Sequence, residues 1–66
     1  MPRFAVFFAD DAAIGMEQIE ATDAAAAEAM ARELNPGALV HAVDGALVTE
    51  ANRQYLLAYW ARFSAF

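Results

Sequence analysis

The sequence has no cysteine and no lysine, and only one histidine and one serine among its 66 residues. Without cysteine the chain has no disulfide, no thiolate metal site and no cysteine nucleophile. A Ser-His-Asp triad would need both the serine and the histidine in place, and nothing beside His41 suggests the second member of a dyad. No apolar run approaches the roughly 20 residues of a membrane span. We therefore expect no enzyme activity, no cofactor, no metal and no membrane contact.

The length leaves room for one small domain over residues 1–66. A chain this short buries only about 60% of the surface that its unfolded form exposes, so apolar positions are first candidates for the core. Apolar residues make up 61% of the chain, but 18 of the 66 residues are alanine, so the bulky part of the core is small. Two aspartates follow the first nine residues, and acidic residues at this place are not typical of a signal peptide. We therefore expect a cytoplasmic protein.

The charge is concentrated in the first half of the chain. Nine acidic residues and four arginines give a net charge of −5, and residues 34–66 contribute zero to it. Six acids without a base lie between positions 10 and 28, namely Asp10, Asp11, Glu17, Glu20, Asp23 and Glu28. Such a surface repels phosphates and attracts basic grooves, which predicts a basic protein partner and no direct binding of nucleic acid. The alternative is that these acids only keep the protein soluble.

The hydrophobic pattern predicts an α+β fold, a small and mainly antiparallel β-sheet in the order β-β-α-β-(β)-α with one or two helices packed on it. Strands are predicted over 4–8, 16–21 and 38–43, the first of them central because both of its faces are apolar. A short return strand over 46–48 is predicted after the hairpin signal Asp44-Gly45. Helices are predicted over 24–34 and after Thr49, which can cap the second. Alternatively, residues 51–63 extend the sheet, because Tyr and Trp also favour strands.

The first predicted helix has recognisable ends. Thr22 or Asp23 can cap its beginning, and Asn35-Pro36-Gly37 stops it. Glu28 and Arg32 are spaced for an i,i+4 ion pair on its outer side. Its predicted core stripe consists of Ala27, Met30, Ala31 and Leu34.

The last helix carries an aromatic stripe made of Tyr55, Tyr59, Trp60, Phe63 and Phe66. Leu56, Tyr59, Trp60 and Phe63 fall at helical spacing, which favours a core role, because so small a chain needs its large side chains to fold. The stripe nevertheless contains more aromatic side chains than one helix face can bury. Tyr55, Tyr59, Trp60 and Phe63 are therefore also a candidate interface with a partner or with a second copy in a homodimer.

Two further groups of residues have side chains that are common in catalytic or metal sites. Asp10 and Asp11, with help from Glu17, could approach a divalent cation, but the ligand set of a calcium loop is missing, and no metal is expected. His41 lies on the same predicted face as Leu39 and Val43. An enzyme using His41 with Tyr55 or Tyr59 in a cavity is an alternative that no sequence motif supports.

The layout resembles small phage-encoded anti-CRISPR proteins. The resemblance covers residues 3–43 and lies in topology, size and charge: a short aromatic strand, an acidic loop, the strand in MEQIEATD, the helix AAAAEAMAREL and the strand GALVHAV. It implies an inhibitor in the cytoplasm of a bacterial host that binds an RNA-guided surveillance complex and blocks target DNA or nuclease recruitment. It implies no catalytic residue, and the last helix lies outside the matched region.

These observations lead to one preferred hypothesis and one alternative. The preferred hypothesis is a non-enzymatic acidic inhibitor that acts as a DNA mimic, because carboxylates can occupy a channel of lysine and arginine that holds phosphates. The alternative is a small homodimeric α+β regulatory or antitoxin-like interaction module, in which the aromatic stripe pairs two chains.

Overall fold

A computed structural model describes residues 1–64 of the chain. Its elements in chain order are β1 (Arg3–Ala9), β2 (Ile14–Glu20), α1 (Ala24–Leu34), β3 (Leu39–Asp44), a short 3-10 helix (Gly45–Leu47) and α2 (Arg53–Ser64). The strands form one antiparallel sheet in the order β2-β1-β3. The predicted α+β fold is confirmed, with strand boundaries that differ from the prediction by one or two residues.

Strand β1 lies at the centre of the sheet, as its two apolar faces predicted. Because side chains alternate along a strand, Val6 points to one face of the sheet and Phe7 to the other. Val6 packs with the buried Ala27 and Ala31 of α1, whereas Phe7 packs with Trp60 of α2. Each helix therefore covers a different face, and β1 contributes to both parts of the core.

Helix α1 approaches the sheet through its alanines. Ala27 and Ala31 are fully buried, but Met30 and Leu34 are exposed, so their predicted core role is wrong. A methyl side chain lets the helix backbone lie close to the sheet, and the longer side chains beside this contact extend past it into solvent. The buried stripe of α1 is consequently narrower than the sequence periodicity indicated.

The ends of α1 follow their sequence signals. Asp23 is the N-cap, and its Oδ1 accepts from the backbone N–H of Ala26 at 2.8 Å. At the other end the N–H of Asn35 donates to the carbonyl of Ala31 at 2.9 Å. Gly37 follows with a φ of +83°, a left-handed conformation that glycine adopts without steric cost. The predicted cap and stop of this helix are both confirmed.

The predicted return strand over 46–48 is wrong, because Asp44-Gly45 opens a 3-10 helix rather than a hairpin. Asp44 Oδ1 accepts from the N–H of Ala46 at 2.9 Å, and the N–H of Val48 donates to the carbonyl of Gly45. This side-chain contact with the backbone two residues on favours a tight turn of the chain. The described residues therefore form a three-stranded sheet, and the chain leaves it toward α2.

Residues 53–64 are helical, so the alternative that 51–63 extend the sheet is wrong. Thr49 and Asn52 hydrogen-bond reciprocally just before the helix: the Asn52 N–H donates to Thr49 Oγ1, and the Thr49 N–H donates to Asn52 Oδ1. Thr49 thus accepts a backbone N–H as predicted, but in the turn that precedes the helix, which begins at Arg53. This arrangement satisfies backbone donors that the first turn would otherwise leave unpaired.

Candidate functional site

Five of the acidic candidates lie along the outer strand β2 and its two ends. Asp10 and Asp11 occupy the turn between β1 and β2, Glu17 and Glu20 belong to β2, and Asp23 follows it at the start of α1. We call these five residues the acidic edge. The seven residues of β2 span about 20 Å, and the carboxylates are spread over at least that length. Because side chains alternate along a strand, Glu17 lies on the α1 side of the sheet and Glu20 on the other side.

The sixth candidate, Glu28, lies apart from the acidic edge. Its Oε2 accepts from the backbone N–H of Ala42 on β3 at 2.9 Å, and its Oε1 lies 3.9 Å from Arg32, which confirms the predicted pair. Strand β3 is the opposite outer strand, about 10 Å from β2 across the sheet. Glu28 thus occupies a backbone N–H on the outer strand β3. Covering such a donor is one way in which proteins protect an exposed strand edge from pairing with another strand.

Some carboxylates of the acidic edge also hold the fold together. Asp10 Oδ1 accepts from the N–H groups of Ala12 and Ala13 at 2.8 and 2.7 Å and so orders the β1–β2 turn. Glu17 Oε1 accepts from Asn35 Nδ2 at 2.9 Å, which ties the middle of β2 to the end of α1. The sequence carried no signal for this second contact, because its partners are 18 residues apart.

Of the other three carboxylates, Asp23 caps α1, and Asp11 and Glu20 are the ones most available to a partner. Asp11 and Glu20 are exposed, and Glu20 lies 4.0 Å from Arg3 in a pair that is exposed at both ends. Such a surface pair contributes little to stability, so a positively charged side chain of a partner can replace Arg3 beside Glu20 at a small cost in free energy.

On the other side of the sheet, Trp60 anchors α2. It is the only buried residue of this helix in the described part of the chain, with 6% of its surface exposed. Its Nε1 donates to the carbonyl of Phe8 at 3.0 Å, and its ring lies 6.0 Å from that of Phe7. The structure therefore gives Trp60 a core role.

Three other aromatic candidates on α2 are exposed. Tyr55, Tyr59 and Phe63 expose 71%, 62% and 72% of their surface, so the predicted core role of Tyr59 and Phe63 is wrong. Their spacing of four residues places them in one row along the helix, which we call the aromatic ridge. A straight helix that packs on a sheet buries only one of its own sides, and Trp60 lies on that side of α2. Phe66 lies outside the described residues.

An open apolar groove of about 470 Å³ lies between α2 and β3. Its walls include Leu39, His41 and Val43 from β3 and Tyr59, Trp60 and Phe63 from α2. The His41 ring stacks on Trp60, with centroids 6.4 Å apart and an interplanar angle of 18°. We call this feature the aromatic groove; His41 and Tyr59 share it, whereas Tyr55 is outside its lining.

Within residues 1–64, no three histidine or carboxylate side chains are grouped so that they could hold a metal ion. No helix in this range is long and apolar enough to cross a membrane. Comparison of the chain with protein-family models, with curated proteins and with solved structures gave no match. The acidic edge and the aromatic groove are therefore the two candidate functional surfaces of the described residues.

Proposed function

We propose that the chain is a non-enzymatic protein inhibitor that binds, through its acidic edge, a basic protein groove that otherwise holds nucleic acid. The candidate partner is an RNA-guided surveillance complex, as the resemblance to anti-CRISPR proteins implies, and binding would block recognition of target DNA. The observation that carries the proposal is the concentration of five carboxylates on β2 and at its two ends, in a stretch without lysine or arginine from position 10 to 28.

The attractive force would be the electrostatic one that holds DNA in such a groove. Lysine and arginine side chains that neutralise phosphates also attract carboxylates, and a concentration of charge speeds association over distances comparable with the Debye length. Because this contribution is screened by salt, binding would weaken as the ionic strength rises. A contact of this kind needs no catalytic residue, cofactor or metal.

The fold decides which carboxylates can be tested without disturbing the protein. Asp10, Glu17 and Asp23 accept hydrogen bonds that order a turn, a helix end and a helix start. Their replacement would change the structure together with the charge. Asp11 and Glu20 are exposed, and the double variant D11K/E20K removes two negative charges and adds two positive ones at the acidic edge.

The test is a gel-shift assay of target DNA with purified type I surveillance complexes, with the protein added at low and at high ionic strength. We expect the protein to abolish DNA binding, less effectively at high salt. D11K/E20K should inhibit at least about tenfold more weakly, since a close charge pair across an interface contributes about 1.5 kcal/mol or more.

The matched control is E33K/E50K, which makes the same change in net charge at two exposed acids outside the acidic edge. It should inhibit like the unchanged protein. If both double variants lose the same amount of inhibition, net charge alone explains the effect, and a contact made by the acidic edge is contradicted. If no complex loses DNA binding, the inhibitor proposal is overturned.

A further inference from the structure

We infer that the aromatic ridge and the aromatic groove beside it bind a second copy of this chain, forming a homodimer with two-fold symmetry. The inference uses residues of α2 and β3 and is independent of the proposed function, which uses the acidic edge. It rests on three observations: the matching dimensions of ridge and groove, the local charge, and the exposed apolar area.

The ridge and the groove are complementary in length. Tyr55 and Phe63 are eight residues apart on α2, which corresponds to about 12 Å. The sheet wall of the groove, from Leu39 to Val43, is about 13 Å long. Side chains four residues apart form the helix ridge that most often packs into a neighbouring groove. A molecule that carries both features side by side can pair with itself, because a two-fold axis places each ridge in the partner copy's groove.

The local charge favours a second copy over a charged partner. The named walls of the groove include no carboxylate, lysine or arginine, and residues 34–66 have a net charge of zero. Two copies of a chain with a net charge of −5 repel one another, and contact between their neutral parts keeps that repulsion smallest. A strongly basic partner would be attracted to the negative charge of the acidic edge instead.

The exposed area fits a small dimer interface. Tyr55, Tyr59 and Phe63 are each about two-thirds exposed, which for aromatic side chains amounts to about 300–500 Å² per copy. Leu39, also exposed, adds to this surface. The total approaches about 600 Å² per partner, the lower end of specific interfaces. The dimer should therefore be weak and should depend on protein concentration.

The experiment is analytical ultracentrifugation of the full chain from low to high micromolar concentration. We expect a monomer–dimer equilibrium that becomes stronger with added salt, since salt screens the repulsion between the copies. Tyr59→Glu and Phe63→Glu should each weaken the dimer by at least about thirtyfold, the effect of removing a central interface aromatic. Leu34→Glu is the control, because Leu34 is 67% exposed on the other helix and should leave the dimer unchanged.

Far-UV circular dichroism checks that each variant is folded, and Phe63→Ala provides a second variant without the new charge. A monomer at every concentration would overturn the inference, and binding of an apolar dye to that monomer would indicate a small apolar ligand for the groove. A dimer that persists in Tyr59→Glu, Phe63→Glu and Phe63→Ala would also overturn it, as would equal weakening by Leu34→Glu. D11K/E20K leaves the ridge and the groove unchanged and lowers the net negative charge, so it should dimerise at least as strongly as the unchanged protein, and failure of the dimer and failure of the inhibitor proposal are distinguishable.

Discussion

Replacement of Trp60 by alanine should detach α2 from the sheet. Trp60 is the only residue of this helix that is buried in the described part of the chain, and it contacts Phe7, His41 and Phe63 through its ring. The same side chain donates to the carbonyl of Phe8. Without it, the remaining apolar side chains of α2, Leu56 and Leu57, are only half-buried against the sheet.

The magnitude follows from the burial of the indole. With 6% exposed, a tryptophan removes about 200 Å² from water, which at about 25 cal/mol per Å² corresponds to about 5 kcal/mol. Residual compactness of the unfolded chain lowers this value, so we expect a loss of about 3–5 kcal/mol in the free energy of unfolding. A chain of 66 residues has a total stability of about 3–10 kcal/mol, so the variant should be marginally folded.

The assay is urea unfolding followed by far-UV circular dichroism, at a protein concentration low enough for the monomer. Phe63→Ala is the matched control, because the ring centroids of Phe63 and Trp60 are 6.2 Å apart on the same helix but Phe63 is 72% exposed. Its substitution should cost at most about 1 kcal/mol. If Trp60→Ala costs no more than Phe63→Ala, the reasoning that Trp60 holds α2 on the sheet is refuted.

Two further predictions concern the backbone. Asp23→Ala removes the cap of α1 and should lower the free energy of unfolding by about 1 kcal/mol in the same assay, whereas Asp23→Asn should retain most of it; equal losses would contradict the capping role. Gly45→Ala would place a methyl group 2.8 Å from the carbonyl oxygen of Arg3, and strain of this kind costs about 1–3 kcal/mol. An unchanged unfolding midpoint for Gly45→Ala would mean that the 3-10 helix can move away from β1.

Local patterns in the sequence predicted much of the fold because their physical causes are local. The two apolar faces of residues 4–8 indicated a central strand, and β1 lies between β2 and β3. The capping aspartate and the Asn35-Pro36-Gly37 stop marked the ends of α1. At Asp44-Gly45 the same kind of signal failed, because a hydrogen bond from the backbone to the Asp44 side chain supports a 3-10 helix as readily as a hairpin.

The candidate surfaces were only partly predictable. The sequence indicated the acidic residues, but their separation into an acidic edge and the distant Glu28 depends on the strand order β2-β1-β3. Likewise, the helical spacing of Tyr59, Trp60 and Phe63 makes them near neighbours on one helix, and spacing alone does not tell which of them faces the sheet.

What the sequence determined by itself is therefore the three strands, the first helix with its cap and stop, and the uneven distribution of charge, since these depend on residues close together in the chain. The tertiary structure alone decided that Trp60 is buried while Tyr59 and Phe63 are exposed, and that an apolar groove lies between α2 and β3. The physical reason is that burial depends on how two elements distant in sequence are oriented, and a single sheet face has room for only one side of a helix.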